Sequence, residues 1–132
     1  MLAELLISLC NELDIEKPEM TKEKTCTFNF QKNISIFMGE IENTIYIKST
    51  IAPTPKENKE DLFITLMKAN LLGDGTGGSV IGLEKDEKNL TLSYLFQYEV
   101  TYDEFKEKIE DFVNYLIYWR EEIKNFPKER IL

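Results

Sequence analysis

Five of the chain's six glycines lie in one stretch, Ala69 to Leu83, which reads Ala-Asn-Leu-Leu-Gly-Asp-Gly-Thr-Gly-Gly-Ser-Val-Ile-Gly-Leu. It contains the spacing Gly73-x-Gly75-x-x-Gly78, the outline of a dinucleotide-binding loop. Such a loop works only where a strand leads in and a helix leads out, so that the helix N-terminus meets the pyrophosphate. Here the order is reversed. The amphipathic run Asp61 to Leu72 leads in, and the apolar, strand-like run Ser79 to Leu83 leads out. The glycines therefore stand at a helix C-terminus and turn the chain from helix into strand. Asp74, inside the turn, lacks the Asp-x-Asp spacing of a calcium loop and reads as a turn former.

Periodicity supplies the elements around this junction. Leu2, Leu5, Leu6, Leu9 and Leu13 recur at helical spacing and predict a first helix over Leu2 to Leu13. Three alternating runs follow: Cys26 to Phe30, Ile34 to Met38, and Ile45 to Ser49. The turns between them, at Gln31 to Asn33 and Glu40 to Asn43, are short enough for hairpins, so the three form a meander. Asn58 and Asp61 suggest a capping arrangement that opens a second helix reaching about Leu72. That helix is apolar over so much of its girth (Leu62, Phe63, Leu66, Met67, Ala69, Leu71) that it should be buried on more than one side. Ser79 to Leu83 and Leu90 to Tyr98 make a second hairpin. Thr101-x-x-Glu104 is a capping box for a closing helix with an apolar face of Phe105, Ile109, Phe112, Val113, Leu116, Ile117 and Ile123. Lys124 and Lys128 near its end complement the helix dipole. The order is α-β-β-β-α-β-β-α. Consecutive strands on tight turns pair antiparallel, so the class is α+β, with one sheet packed by helices, and residues 1–132 read as a single domain.

Composition narrows the chemistry. The formal charge is −8, which disfavours a phosphate backbone or an anionic membrane and suits a soluble protein or one that receives a basic partner. There is no histidine, which removes His-based acid–base and nucleophile-activating chemistry and most zinc sites. Cys10 and Cys26 have no metal-ligand spacing and read as free thiols of a reducing cytosol. Met1 to Leu13 carries Glu4 and Glu12 and no basic flank, so it is expected to be neither signal peptide nor membrane span. The carboxylates of the last helix interleave with lysines as a solvated face does. No nucleophile, metal cluster or cofactor loop emerges, and the chain reads as a non-enzyme with no cofactor.

The residues out of place are apolar. Phe37 and Tyr46 fall on the otherwise polar face of the meander, and Leu95 on that of the second hairpin. They are either an exposed binding patch or packing at an edge or under a loop. Tyr115, Tyr118 and Trp119 exceed what one core stripe of the last helix needs, and Trp119 fits a lid on the core.

Three features together resemble the class I type III secretion chaperones, the CesT/Tir-chaperone family. These are the element order, the segment Ala69-Asn70-Leu71-Leu72-Gly73-x-Gly75-Thr76-Gly77-Gly78, and the ending Phe105…Asp111-Phe112…Tyr118-Trp119-Arg120. The resemblance covers nearly the whole chain. It implies a bacterial cytoplasmic protein that binds the N-terminal segment of a secreted effector in extended form and keeps it soluble and secretion-competent. It implies a homodimer, or a heterodimer with a paralogous chaperone, whose contact comes from the second helix and the strand after the glycine turn. Here those are Leu62, Leu66, Ala69, Asn70, Gly78, Val80, Ile81 and Leu83, so Ile81→Asp should split the dimer. It implies effector-binding grooves lined by the first helix and the meander, here Leu5, Leu9, Phe28, Phe30, Ile36, Phe37 and Tyr46. The alternative is a regulatory or interaction protein of the same fold, acting with a paralogous chaperone or on a folded partner. Nucleic acid and membrane insertion are not expected.

Overall fold

The computed structural model describes residues 1–97 and 99–130, the last four of these without their side chains. Tyr98 and the side chain of Lys128 thus lie outside the described residues. The elements are α1 (Leu2–Leu13), β1 (Thr25–Gln31), β2 (Ile34–Ile41), β3 (Thr44–Pro53), α2 (Lys59–Asn70), a 3-10 turn (Leu71–Gly73), β4 (Val80–Leu83), β5 (Asn89–Leu95) and α3 (Tyr102–Arg130). The strands form one sheet in the order β1-β2-β3-β5-β4. The paired strands β1–β2, β2–β3 and β4–β5 run antiparallel, which makes the fold α+β as expected. Contacts gather into two compact units, one of Met1–Ser49 with Tyr94–Glu110, the other of Thr50–Ser93 with the chain from Asp111 onward.

In the first unit the leucine stripe of α1 (Leu2, Leu5, Leu6, Leu9) is buried, as are Phe28, Ile36, Met38, Ile45 and Ile47 of the meander. Alternation sends these strand residues to one face and their neighbours to the other. Each large apolar side chain so buried contributes roughly 1.5–3 kcal/mol before ordering costs. Cys10 and Cys26 are free and buried in this core, and burial pushes both thiols up. The β2–β3 turn is closed by Glu42 and Asn43, both with positive φ (49° and 65°), the backbone of a two-residue hairpin. The capping box of α3 forms both its bonds. Glu104 N–H donates to Thr101 Oγ1 at 3.2 Å, and Thr101 N–H donates to Glu104 Oε1 at 3.0 Å.

In the second unit Leu62 and Leu66 of α2 are buried, as are Ile81, Leu90, Leu92 and, from α3, Phe112, Val113, Leu116, Trp119 and Ile123. Helix α2 stops at Asn70, two residues short of expectation, because Leu71 is extended (φ −60°, ψ 116°) and Leu72 is left-handed (φ 57°). The glycine run then folds back on itself. Gly75 N–H donates to the Ala69 carbonyl at 3.0 Å and Gly78 N–H to the Gly73 carbonyl at 3.2 Å. Gly77 sits at φ +63°, and a Cβ there would stand 2.3 Å from the Tyr115 ring, so both backbone and packing demand glycine. Trp119 Nε1–H donates to the Gly75 carbonyl at 2.8 Å. Arg120 donates from Nε to the Ile51 carbonyl (3.2 Å) and from a terminal nitrogen to the Thr50 carbonyl (2.8 Å). The Trp119-Arg120 pair therefore ties down backbone, Trp119 the glycine turn and Arg120 the end of β3.

Three local expectations are corrected. Asn58 makes no side-chain cap, because its own backbone is left-handed (φ 57°), whereas a capping side chain needs an extended one. Ile117 is 45% exposed rather than part of the α3 core face. Helix α3 runs on to Arg130, so Lys124 stands inside it rather than in its last turn.

Candidate functional site

The first unit presents a free strand edge. β1 is the outermost strand on its side of the sheet and pairs only with β2. In an antiparallel ladder alternate residues turn their backbone polar groups inward and outward. Lys24 turns inward, its carbonyl accepting from Glu40 N–H at 3.1 Å. Thr25 turns outward, its carbonyl accepting from Thr21 N–H at 2.8 Å. The same alternation turns the backbone groups of Thr27 and Asn29 outward. They open on a cavity of about 620 Å³ whose apolar walls are Ile15, Pro18 and Phe37.

Phe37 projects from β2 at 40% exposure, its ring centroid 6.1 Å from that of the half-buried Tyr46. Tyr46 lies flat over Gly39, where a Cβ would stand 2.3 Å from its ring. Of the residues expected to line effector grooves, Phe37, Tyr46 and Phe30 reach the surface of this unit, while Leu5, Leu9, Phe28 and Ile36 are buried in its core. Ile15, Pro18 and the backbone of Thr27 and Asn29 escaped the sequence reading. A strand that opens a meander is a candidate edge, but which of its residues face outward depends on register.

The second unit leaves apolar side chains of α2 and β4 exposed. Ile64 (52%), Met67 (72%), Leu71 (65%), Val80 (54%) and Leu83 (41%) are exposed. Beside them lies a hollow of about 200 Å³ lined by Phe63, Met67, Asn70, Ile81 and Leu83, among others. Of the residues expected at a dimer contact, Val80, Leu83 and Gly78 are exposed, Ala69 and Asn70 half-buried, and Leu62, Leu66 and Ile81 buried within their own chain. The girth argument for α2 thus divides by face. Leu62 and Leu66 meet the chain's own core, and Ile64, Met67 and Leu71 are left bare. In the first unit Leu95, 55% exposed on β5, points outward, as its place on the polar face implied.

Among the described residues no group of three or more His, Cys, Asp or Glu side chains is placed to hold a metal ion. No helix among them is long and apolar enough to cross a membrane.

Comparison with known proteins bears on the fold and the family. A Chlamydia pneumoniae protein, CPj0713/CpB0740, is 33% identical over 79 residues, which span 59% of this chain and 60% of that relative's length. Among solved structures, a chain of the ExsC–ExsE complex superposes with a TM-score of 0.76 at 10% identity, covering 91% of each chain. A chain of the HopA1–SchA chaperone–effector complex gives 0.70 at 13% identity, covering 89% of this chain and 91% of that one. A chain of the Yersinia pestis type III secretion chaperone SycH in complex with a YscM2 fragment gives 0.69 at 13% identity, covering 89% and 98%. At these identities the structures show a shared fold. Residues 4–120 match the Tir chaperone protein (CesT) family, and with nearly the whole chain so matched, this protein belongs to that family.

Proposed function

We propose that this chain is a type III secretion chaperone that binds the N-terminal segment of a secreted effector in extended form and holds it soluble and secretion-competent in the bacterial cytoplasm. The carrying observation is the open edge of β1 at Thr27 and Asn29, set beside a cavity of about 620 Å³ walled by Ile15, Pro18 and Phe37. An extended segment adds to such an edge through main-chain hydrogen bonds, and the apolar walls take alternate side chains. Main-chain pairing tolerates many sequences, which suits an unfolded client. The structural neighbour seen in a chaperone–effector complex, that of HopA1 and SchA, supports the same reading.

The bare surface of α2 and β4 supports a dimer. A second copy, or a paralogous chaperone in a heterodimer, would cover Met67, Val80 and Leu83. The test is co-purification from the native cytosol followed by limited proteolysis. The expected result is a protected N-terminal effector segment. Recovery of only intact, folded partners would overturn the effector reading in favour of a regulatory one.

A further inference from the structure

The second unit holds a cavity of about 610 Å³ that neither surface above uses. Its walls are Thr65, Lys68 and Ala69 of α2, Asp74 and Gly75 of the glycine turn, and Asn114, Tyr115, Tyr118 and Trp119 of α3. The walls are preformed. Trp119 is bonded to the Gly75 carbonyl, the Tyr115 ring lies on Gly77, and Tyr118 meets Trp119 edge-on with centroids 5.2 Å apart. Tyr118 nevertheless stays 52% exposed.

The walls themselves hold one carboxylate, Asp74, and, among the described residues, one cation, Lys68, which is exposed. One helical turn beyond the walls the charge is acidic: spacing puts Asp111 one turn before Asn114 and Tyr115, Glu121 and Glu122 one turn after Tyr118, and Asp61 one turn before Thr65. Arg120 is engaged with the Thr50 and Ile51 carbonyls.

We propose that this cavity receives an arginine side chain from a basic segment of a partner protein. A guanidinium is planar and weakly hydrated, stacks on aromatic faces, and pairs with a carboxylate through two donors. Tyr118 and Tyr115 supply the faces, and Asp74 supplies the carboxylate. The site stands apart from the effector reading and holds whether or not β1 takes a strand.

Trp119, the only tryptophan of the chain, is a built-in reporter in the wall. Titration of the full chain with a blocked hexa-arginine peptide should change Trp119 emission saturably, and hexa-glutamate should not. Asp74→Asn and Tyr118→Ala should each weaken hexa-arginine binding at least about tenfold, the loss of one stacked, partly desolvated cation contact. Glu87→Gln, an equal charge change at an exposed position between β4 and β5 and outside these walls, should leave it within about twofold, as expected for a screened surface charge. Equal losses for Asp74→Asn and Glu87→Gln would overturn the proposal in favour of diffuse attraction to an acidic protein, and so would the absence of a saturable change. Should Tyr118→Ala fail to fold, the Asp74→Asn and Glu87→Gln pair decides alone.

Discussion

The side-chain amide of Asn70 pairs with the backbone of Ile81 as a neighbouring strand would. Its nitrogen donates to the Ile81 carbonyl at 2.9 Å, and its oxygen accepts from Ile81 N–H at 2.8 Å. β4 is the outermost strand on its side of the sheet, so these are edge groups that would otherwise stand open to another chain. The last residue of α2 thus closes the edge at its central apolar residue. This explains why Asn70 is needed beside the glycine turn, which brings helix end and strand together.

Asn70→Ala should therefore do two things. It should cost about 1–3 kcal/mol, as for buried partners left unpaired, and it should promote strand-edge association. Urea unfolding measures the first and sedimentation the second. Asn70→Asp keeps an acceptor for Ile81 N–H but sets a carboxylate oxygen against the Ile81 carbonyl, so it should fail to restore the parent's stability. An Asn70→Ala protein as stable as the parent would show that water replaces the amide without cost.

Gly77→Ala should destabilise by more than the ~1 kcal/mol typical of a single substitution, because the new methyl meets Tyr115 and the backbone is left-handed. Adding Tyr115→Ala should recover the steric share and leave the backbone share. A double-mutant cycle in denaturant that showed no coupling would refute the packing of Tyr115 on Gly77.

Val80→Asp and Met67→Asp place charges on exposed positions of the α2–β4 surface. Each should convert the proposed dimer to monomer while leaving the unfolding midpoint of the monomer nearly unchanged. Ile81→Asp is a different experiment. Ile81 is only 6% exposed within its own chain, so the charge should unfold the second unit rather than merely dissociate a dimer. Sedimentation equilibrium with circular dichroism separates the outcomes, and a Val80→Asp protein that remains fully dimeric would move the contact elsewhere.

Thr27→Pro tests the proposed effector edge. Thr27 N–H points away from β2, and proline is tolerated where a strand's N–H faces outward. The ladder with β2 should survive while an incoming strand loses a donor and meets the ring. Effector-segment affinity should fall at least about tenfold, the loss of roughly one well-placed hydrogen bond plus a clash, with the thermal midpoint little changed. Calorimetric titration against an effector segment measures this. Unaltered affinity would exclude pairing at this edge.

Glu40 gives the fold a pH dependence. Its Oε1 accepts from Leu2 N–H at 2.8 Å at the start of α1, and this bond holds the carboxyl below the ordinary glutamate value of 4.5. A carboxyl depressed in the folded state adds stability that is fully present above 4.5 and lost as pH falls through its lower folded value. Glu40→Gln should lower stability at neutral pH and flatten its acid dependence below 4.5. Urea midpoints across that range check it, and parallel curves for the two proteins would refute it.

Much of the fold was legible because its signals are local. The leucine period of α1 set both ends of that helix, strand alternation located β1, β2, β3 and β5, an apolar run after the glycines located β4, and Thr101 with Glu104 marked the start of α3. Phe37, Tyr46 and Leu95 were recognisable as outward because alternation assigns a face without knowledge of the partner strand. Tyr115, Trp119 and the glycines stood out as unusual, and yet nothing local said that they meet, since Trp119 and Gly75 are 44 residues apart.

The sequence by itself determined the element order, the α+β class, the reversed reading of the glycine run and the absence of histidine chemistry. Each follows from periodicity, turn residues or composition, which act over a few residues or over the chain as a whole. Tertiary structure decided which apolar residues are spent. Leu62, Leu66 and Ile81 look like Met67, Val80 and Leu83 in sequence, and only packing sent the first three inward and left the others bare. It also decided which strand edge is open, because β1 and β4 both end the sheet and only β4 meets an asparagine placed to close it. Edge exposure and burial depend on residues distant in the chain, and no local pattern encodes them.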